Sequence, residues 1–456
     1  MQRRRAPAPS ALALALALAL GPVGHAGVAA ASEIAFVGAR VLTVSHGAID
    51  PGTVVVRDGR IAAVGPQAGV EVPAEARVHD LSGRVLIPGL VDTHSHIGIY
   101  PRPLVPAHLD GNDPSKAVQP QLRALDAIWP QDPGIAMARA GGITTANIMP
   151  GSGSVVSGQT AYVKLRGRSV EQMLVQEDGV QGGLKMANGE NPKRALGAKG
   201  KPPMTRMAIA ALQRDLFHRA QVYLDKWARH EEKQAAGEDS EPPVRDLELE
   251  PVVEVLEGER IVHHHTHRSD DILSVLRLQR EFGFPLVIQH GTEADRVIDE
   301  IREAGVPVSA IVLDSPGGKL EVADYRADYV ASLERAGIEV AIHTDDFVTD
   351  SRLFLRSGAL AVRAGMSEPG ALRALTLAGA RMLRLDDRVG SIEVGKDADL
   401  VVLSGPPFRV DTRVLETWIE GERVFSFADP DQRSWATGGW PHGVVPPAAA
   451  GAGQGR

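Results

Sequence analysis

The sequence predicts an α/β fold, a TIM (β/α)8 barrel with a small β-sandwich formed from both ends of the mature chain. Three observations carry this. Through the middle of the chain, short apolar runs of strand character alternate with amphipathic helical stretches, the pattern of parallel strands joined by right-handed crossovers. Titratable residues fall repeatedly just past the C-terminal ends of those strands, which in a barrel is the face where chemistry is done. Two β-rich segments, one towards each end, bracket this region. A doubly wound open sheet also places ligands at strand ends, but the N-terminal Gly-x-Gly fingerprint of a dinucleotide binder is missing.

Taken in order, residues 1–31 read as a signal peptide. Arg3, Arg4 and Arg5 are followed by an Ala-Leu run over residues 11–20, and Ala29-Ala30-Ala31 precedes Ser32. That is the charge, apolar stretch and small-residue end of an export signal. The run is too short to span a bilayer. The expected location is periplasmic or secreted, with no stable membrane insertion after signal removal. Residues 32–87 form the first part of the sandwich, with strand-like runs at 34–37, 53–56 and 61–64 and Asp58-Gly59 as a hairpin turn.

Residues 88–387 form the barrel. Within it, 191–250 breaks the rhythm, an insertion over the barrel mouth or a solvated surface excursion, with an amphipathic helix over 204–229 and a charged loop over 230–246. From 261 onward the alternation is regular. A strand runs into a His cluster, a helix over 269–281 stops at Gly283, and a strand over 285–290 ends at His290. Thr292 then caps a helix to Ala304, followed by a strand over 306–313, a helix over 325–336 and a strand over 338–342. Residues 388–427 return to β texture as the second part of the sandwich, with Gly421 as a turn. Residues 428–456, rich in Pro, Gly and Ala, are expected to be a flexible tail.

Without the three N-terminal arginines, 46 basic residues face 57 acidic ones, a net charge of −11. An acidic chain without a basic stripe argues against nucleic acid as a partner. The expected partner is a small-molecule substrate, and the composition is compatible with a homo-oligomer. Cysteine is absent, so a metal site must be built from histidines and carboxylates.

The densest chemical signal is Pro88-Gly89-Leu90-Val91-Asp92-Thr93-His94-Ser95-His96. Alternate residues of a strand share a face, so His94 and His96 present two imidazoles to one ion. A second cluster, His263-His264-His265-Thr266-His267, puts His263, His265 and His267 on one side and His264 on the other. His290 and Asp345 end two further strands. A single buried histidine is more often a packed core residue than a ligand. Four strand ends that each carry His or Asp are hard to explain by packing alone, and neutral imidazoles with carboxylates suit Zn²⁺ and related ions.

Together these motifs resemble the amidohydrolase superfamily, with an imidazolonepropionase-like flavour. The 88–96 segment is similar to its first-strand signature and Gly142-Ile143-Thr144-Thr145 to its second strand. His265, His290 and Asp345 match its fifth, sixth and eighth strand ends, and residues 390–400 its return into the sandwich. The resemblance covers nearly the whole mature chain. It implies one or two divalent ions, most often zinc, bound by His94, His96, His265, His290 and Asp345, with Asp345 also the general base. His267 would then reach the substrate carbonyl. The family often bridges two metals with a carboxylated lysine or a glutamate near the third strand. The candidates here are Lys185, inside the strand, and Glu190, just past its end, and position favours Glu190.

The implied activity is metal-dependent hydrolysis of a C–N bond in an amide, a dipeptide-like compound or a cyclic amide. A lactone or ester hydrolase uses the same attack. The rival from another class is a non-catalytic periplasmic metal-binding relative. A storage protein has no need of Asp345 on a separate strand.

Overall fold

The computed structural model describes residues 33–175, 182–314 and 318–438. The signal segment 1–31 and the end of the tail, from 439, lie outside the described residues. The chain adopts a mixed α/β fold in which its two β-rich ends share one eight-stranded sheet. The N-terminal end supplies β1 (Glu33–Leu42), β2 (Ala48–Arg57), β3 (Arg60–Pro66), β4 (Arg77–Asp80) and β5 (Val85–Pro88). Asp58 and Gly59, between β2 and β3, both have positive φ (51° and 77°), the hairpin turn whose twist matches that of its strands.

Next come β6 (Leu90–Ser95), β7 (Ile143–Ile148), β8 (Val156–Gln159), β9 (Ala161–Lys164), β10 (Leu184–Ala187), β11 (Val262–Thr266), β12 (Leu286–His290), β13 (Val308–Ile311) and β14 (Val340–His343). β6 and β7 are parallel, and so are successive neighbours from β10 to β14. These parallel strands are buried at every residue, as strands covered on both faces must be. The stretch from 156 to 164 departs from the expected rhythm. It runs antiparallel, β9 against β7 and β8 against β10. The return after β7, through Pro150, Gly151 and Gly153, is too short for a crossover helix, and an antiparallel partner needs only a turn.

The helix Ser269–Phe282 ends at left-handed Gly283, as its sequence predicts. The helix after β12 begins later than expected, at Ile298, behind a 3-10 turn. Residues 191–250 lie between β10 and β11. Their main element, the helix Arg206–Ala235, is part of the crossover between β10 and β11 and buries Ile209, Leu216, Phe217 and Ala220. Phe217 stacks on Phe284 with ring centroids 4.7 Å apart. The tail also begins with structure, because Asp429 caps a helix over Pro430–Thr437.

The C-terminal strands β15 (Leu400–Leu403), β16 (Val414–Ile419) and β17 (Glu422–Ser426) complete the end sheet, in the order β17-β16-β15-β5-β1-β2-β3 with β4 beside β1. β5 pairs antiparallel with β15. Phe36 of β1 and Trp418 of β16 meet edge to face with centroids 5.1 Å apart. Three strand spacings of about 4.8 Å separate those strands along the sheet, so the sheet coils over its own apolar face. Lys164 of β9 ties this sheet to the parallel strands. Its ammonium is buried and lies 2.6 Å from Asp397, 3.1 Å from Asp399 and 3.1 Å from Glu420. Burial works against that charge, but the three carboxylates outweigh it and raise its pKa. Where β5 passes into β6, a Cβ at Gly89 would collide with the Thr144 side chain, so glycine is required there.

Candidate metal centre

Strand alternation turns His94 and His96 to one side, and the neighbouring strand ends bring the other candidates to them. Donor atoms of His94, His96 and Asp345 lie within 4.8 Å of one another. So do those of His265, His267 and His290, and those of His94, His290 and His343. Asp345 Oδ1 is 3.0 Å from His96 Nε2 and 3.4 Å from His94 Nε2. Asp92 clamps the two strands that meet here, accepting from the Thr344 backbone N–H at 3.0 Å and the Thr344 hydroxyl at 2.5 Å.

Two of the converging residues have left-handed backbones, His290 (φ 72°) and Asp345 (φ 48°). Such conformations are uncommon outside glycine, although His and Asp are among the residues that tolerate them best. They turn the chain sharply at the strand end and aim each side chain across the site. His96 Nδ1–H donates to the Met149 carbonyl at 2.7 Å, which leaves its Nε2 lone pair towards Asp345. His267 Nδ1 is 3.1 Å from the Thr292 hydroxyl. Thr292 therefore holds a site histidine, and the helix cap expected from it is not made.

Nε2 of His265, His267 and His290 is buried without a hydrogen-bond partner among the described residues. Buried polar atoms are normally satisfied, and three unpaired imidazole nitrogens this close together suit a bound cation or a substrate oxygen. The residues present fit a divalent metal. Burial first of all holds His94, His265 and His290 well below the ordinary histidine range and brings His267 and His343 to about 3. The imidazoles are thus neutral, the ligating form. Burial alone would raise Asp345, but its surroundings, with His96 and His343 facing it and the Lys185 ammonium nearby, outweigh that and hold it at about 2.

Position on the strand misjudged the bridging candidates. Glu190 is not brought to the site. It opens the helix Glu190–Gly197, its carboxylate 3.9 Å from Arg194 and its backbone N–H donating to Glu321 Oε1 at 2.5 Å. Lys185 is at the centre, fully buried, with Nζ 2.9 Å from His94 Nε2 and 2.9 Å from Met149 Sδ. The reason is reach. Lys185 lies two residues before the end of β10, and two residues rise about 6.6 Å along a strand, roughly the length of an extended lysine side chain. Burial lowers its pKa to about 7, with Asp345 opposing and Lys319 reinforcing the fall.

Sequence reasoning also passed over His343 and Gln289. His343 shares strand parity with Asp345, so its inward direction was readable. Its Nε2 is 3.0 Å from His290 Nδ1, and its Nδ1 is 2.7 Å from Ser309 Oγ. His264 faces outward, as alternation requires, with Nε2 3.0 Å from Gln213 on the crossover helix. Asp350 and Arg352 pair with each other beside the site, and Asp350 caps the turn Ser351–Leu353.

Converging imidazoles and one carboxylate at the ends of parallel strands make a group that suits a metal ion, and the comparisons place the chain among hydrolases of C–N bonds. The amidohydrolase family profile matches residues 247–424. The crystal structure of an amidohydrolase from Thermotoga maritima MSB8 is 39% identical with a TM-score of 0.80, covering 86% of this chain and 100% of that one. The amidohydrolase tasK of Hapsidospora irregularis is 31% identical over 390 residues, 82% of this chain, and the chain spans 40% of that relative's length. An imidazolonepropionase of Sphingopyxis alaskensis is 24% identical over 377 residues, 78% of this chain and 87% of that protein. The chain belongs to the amidohydrolase family.

Proposed function

We propose that the chain hydrolyses a C–N bond of a small-molecule amide, either dipeptide-like or cyclic, with one or two zinc ions as cofactor. The observation that carries this is the group of buried, unpartnered Nε2 atoms of His265, His267 and His290 beside the His94–His96–Asp345 cluster. His94, His96 and Asp345 would hold one ion, and His265 and His290 the other. Lys185 would bridge them after its neutral amine adds CO₂, forming an N–C bond and releasing one proton to leave an anionic carbamate. Its lowered pKa supports that reading, because near neutral pH much of the amine is unprotonated.

When bound, a divalent cation polarises a carbonyl and makes water a nucleophile near neutral pH. Asp345, ionised at neutral pH, takes the proton of the attacking water and delivers it to the leaving nitrogen. The C–O bond forms as the C–N bond breaks, giving an acid and an amine. The Thr292 hydroxyl either donates or accepts, so His267 is free to give its Nε2–H to the substrate oxygen.

The fold reading behind this is a closed eight-stranded barrel carrying a small β-sandwich. It is supported by the continuous 156–164 stretch pairing with both β7 and β10, and by the parallel bridge from Ser95 to Asp346 that links β6 to β14. The coiled end sheet supports the sandwich. We further propose that residues 1–31 direct export to the periplasm or beyond and are removed. No helix among the described residues is long and apolar enough to cross a membrane.

The test is elemental analysis of the purified protein with and without added bicarbonate, followed by a hydrolysis screen of N-acyl amino acids, dipeptides, cyclic amides and lactones. One or two divalent ions, bicarbonate-dependent loading and turnover of an amide are expected. Full turnover in chelator by metal-free protein would end the reading.

A further inference from the structure

Beneath the imidazoles runs a line of buried side chains that no step of the hydrolysis uses. Gln289 of β12 places Oε1 3.2 Å from His94 Nδ1 and Nε2 3.0 Å from His263 Nδ1. His263 of β11 places Nε2 3.0 Å from the Tyr162 hydroxyl on β9. The line crosses the interior from β6 to β9, and its members are between 0% and 3% exposed. Water does not take part in these contacts, so each must resolve into one donor and one acceptor.

A neutral imidazole, the form that ligates a metal, has one N–H and one lone pair, and among the described residues His263 meets only Gln289 and Tyr162 at its two nitrogens. Two assignments satisfy the whole line. In the first, the Gln289 oxygen accepts from His94 Nδ1–H and its amide N–H donates to His263 Nδ1. His263 Nε2–H then donates to the Tyr162 oxygen. In the second, the Gln289 amide is reversed, Tyr162 donates to His263, and His94 carries its proton on Nε2. Only the first leaves a lone pair on His94 Nε2, the atom that faces Asp345. The structure has the first orientation. His96 needs no such device, because its partner is a backbone carbonyl, which accepts and never donates.

Building on the metal reading above, we propose that Gln289 is a positioning residue that, backed by His263 and Tyr162, locks His94 in the Nδ1–H tautomer and so presets its Nε2 as a metal ligand. The line behind His290 differs: it runs through His343 to the hydroxyls of Ser309 and Thr93 at 3.0, 2.7 and 2.6 Å, and hydroxyls donate or accept, so no tautomer is locked there.

The test uses full-length protein stripped of metal and titrated with Co²⁺, with stoichiometry and chelator competition read at each site and the cobalt absorption bands recorded. Gln289→Leu should weaken one of two sites about 10–100-fold, the usual effect of losing a residue that orients a ligand. Gln289→Glu should recover most of that loss, since a carboxylate accepts from His94 Nδ1–H and from a re-tautomerised His263. A packing role alone predicts the reverse order, because a buried carboxylate disturbs an interior more than leucine does. Unchanged cobalt binding in Gln289→Leu, or weaker binding in Glu than in Leu, overturns the inference. Wild-type protein that binds no cobalt overturns the metal reading and this inference together. A measurement free of any variant is the ¹⁵N spectrum of His94 in the wild-type protein, where Nδ1–H is expected and a dominant Nε2–H form refutes the lock.

Discussion

Replacing Lys185 by Met in the metal-free protein should stabilise the fold at neutral pH, by an amount that depends on pH. The lysine is fully buried, and burial brings its pKa from 10.5 down to about 7. At about 1.4 kcal/mol per unit, that fall corresponds to about 5 kcal/mol of folding free energy. The folded pKa lies below the unfolded one, so between pH 7 and pH 10.5 the unfolded chain binds the additional proton and stability rises with pH. Below the folded value both states are protonated and the full destabilisation is present. Above the unfolded value neither is, and it vanishes. Methionine has similar length and no charge, so it removes the effect. The assay is urea unfolding followed by tryptophan fluorescence, in CO₂-free buffer with chelator, over pH 7 to 10.5. The variant should be more stable at pH 7 by up to about 5 kcal/mol, with the gap closing towards pH 10.5. A gap of constant size, or a variant less stable at pH 7, refutes the reasoning.

Asp345→Asn should lower kcat by about 10²-fold or more, as losses of general acid–base catalysis do. Asparagine tolerates the left-handed backbone there, so the comparison isolates the charge, and a near-normal kcat removes Asp345 from the proton transfer. Lys164→Met removes the cation facing buried Asp399, while Asp397 and Glu420 keep Arg388 and Arg166, and should cost about 3–5 kcal/mol. That is a Tm drop of about 4–6 °C for about 400 residues, and an unchanged melting curve would show that the network contributes nothing. Chelation should abolish turnover and added divalent metal should restore it, as followed by steady-state assay. Mass spectrometry of protein from its native host should place the mature N-terminus near Ser32, and an intact Met1 contradicts the signal reading.

The clustering of the histidines was legible because strand parity is a short-range rule. His94 and His96, and likewise His265 and His267, need only an alternating backbone to share a face. Lys185 was misjudged because the strand-end rule locates Cα atoms, whereas a long side chain delivers its charge two residues further along. The antiparallel 156–164 stretch was hidden by its composition, since Gly151, Gly153 and Gly158 look like a connector and reveal themselves as strand only against β7 and β10. The crossover helix after β10 was legible as a helix, but its place was not, because Phe217 meets Phe284 far along the chain. Lys164 carried no signal at all. Asp397 and Asp399 lie more than 230 residues away in sequence, and nothing local announces a partner at that range.

The pairing of β5 with β15 bears on how the molecule is made. On a ribosome adding about 5–20 residues per second, the roughly 310 residues between those strands take about 15–60 seconds to appear. Until then, any sheet the N-terminal strands form keeps a β5 edge with unpaired backbone groups, the surface on which foreign strands add most readily. Closure waits on long-range contacts, which fold slowly because the chain entropy must be lost before they form. The vulnerable period in the life of this protein therefore falls before its last strands emerge, and it ends when β15 seats against β5.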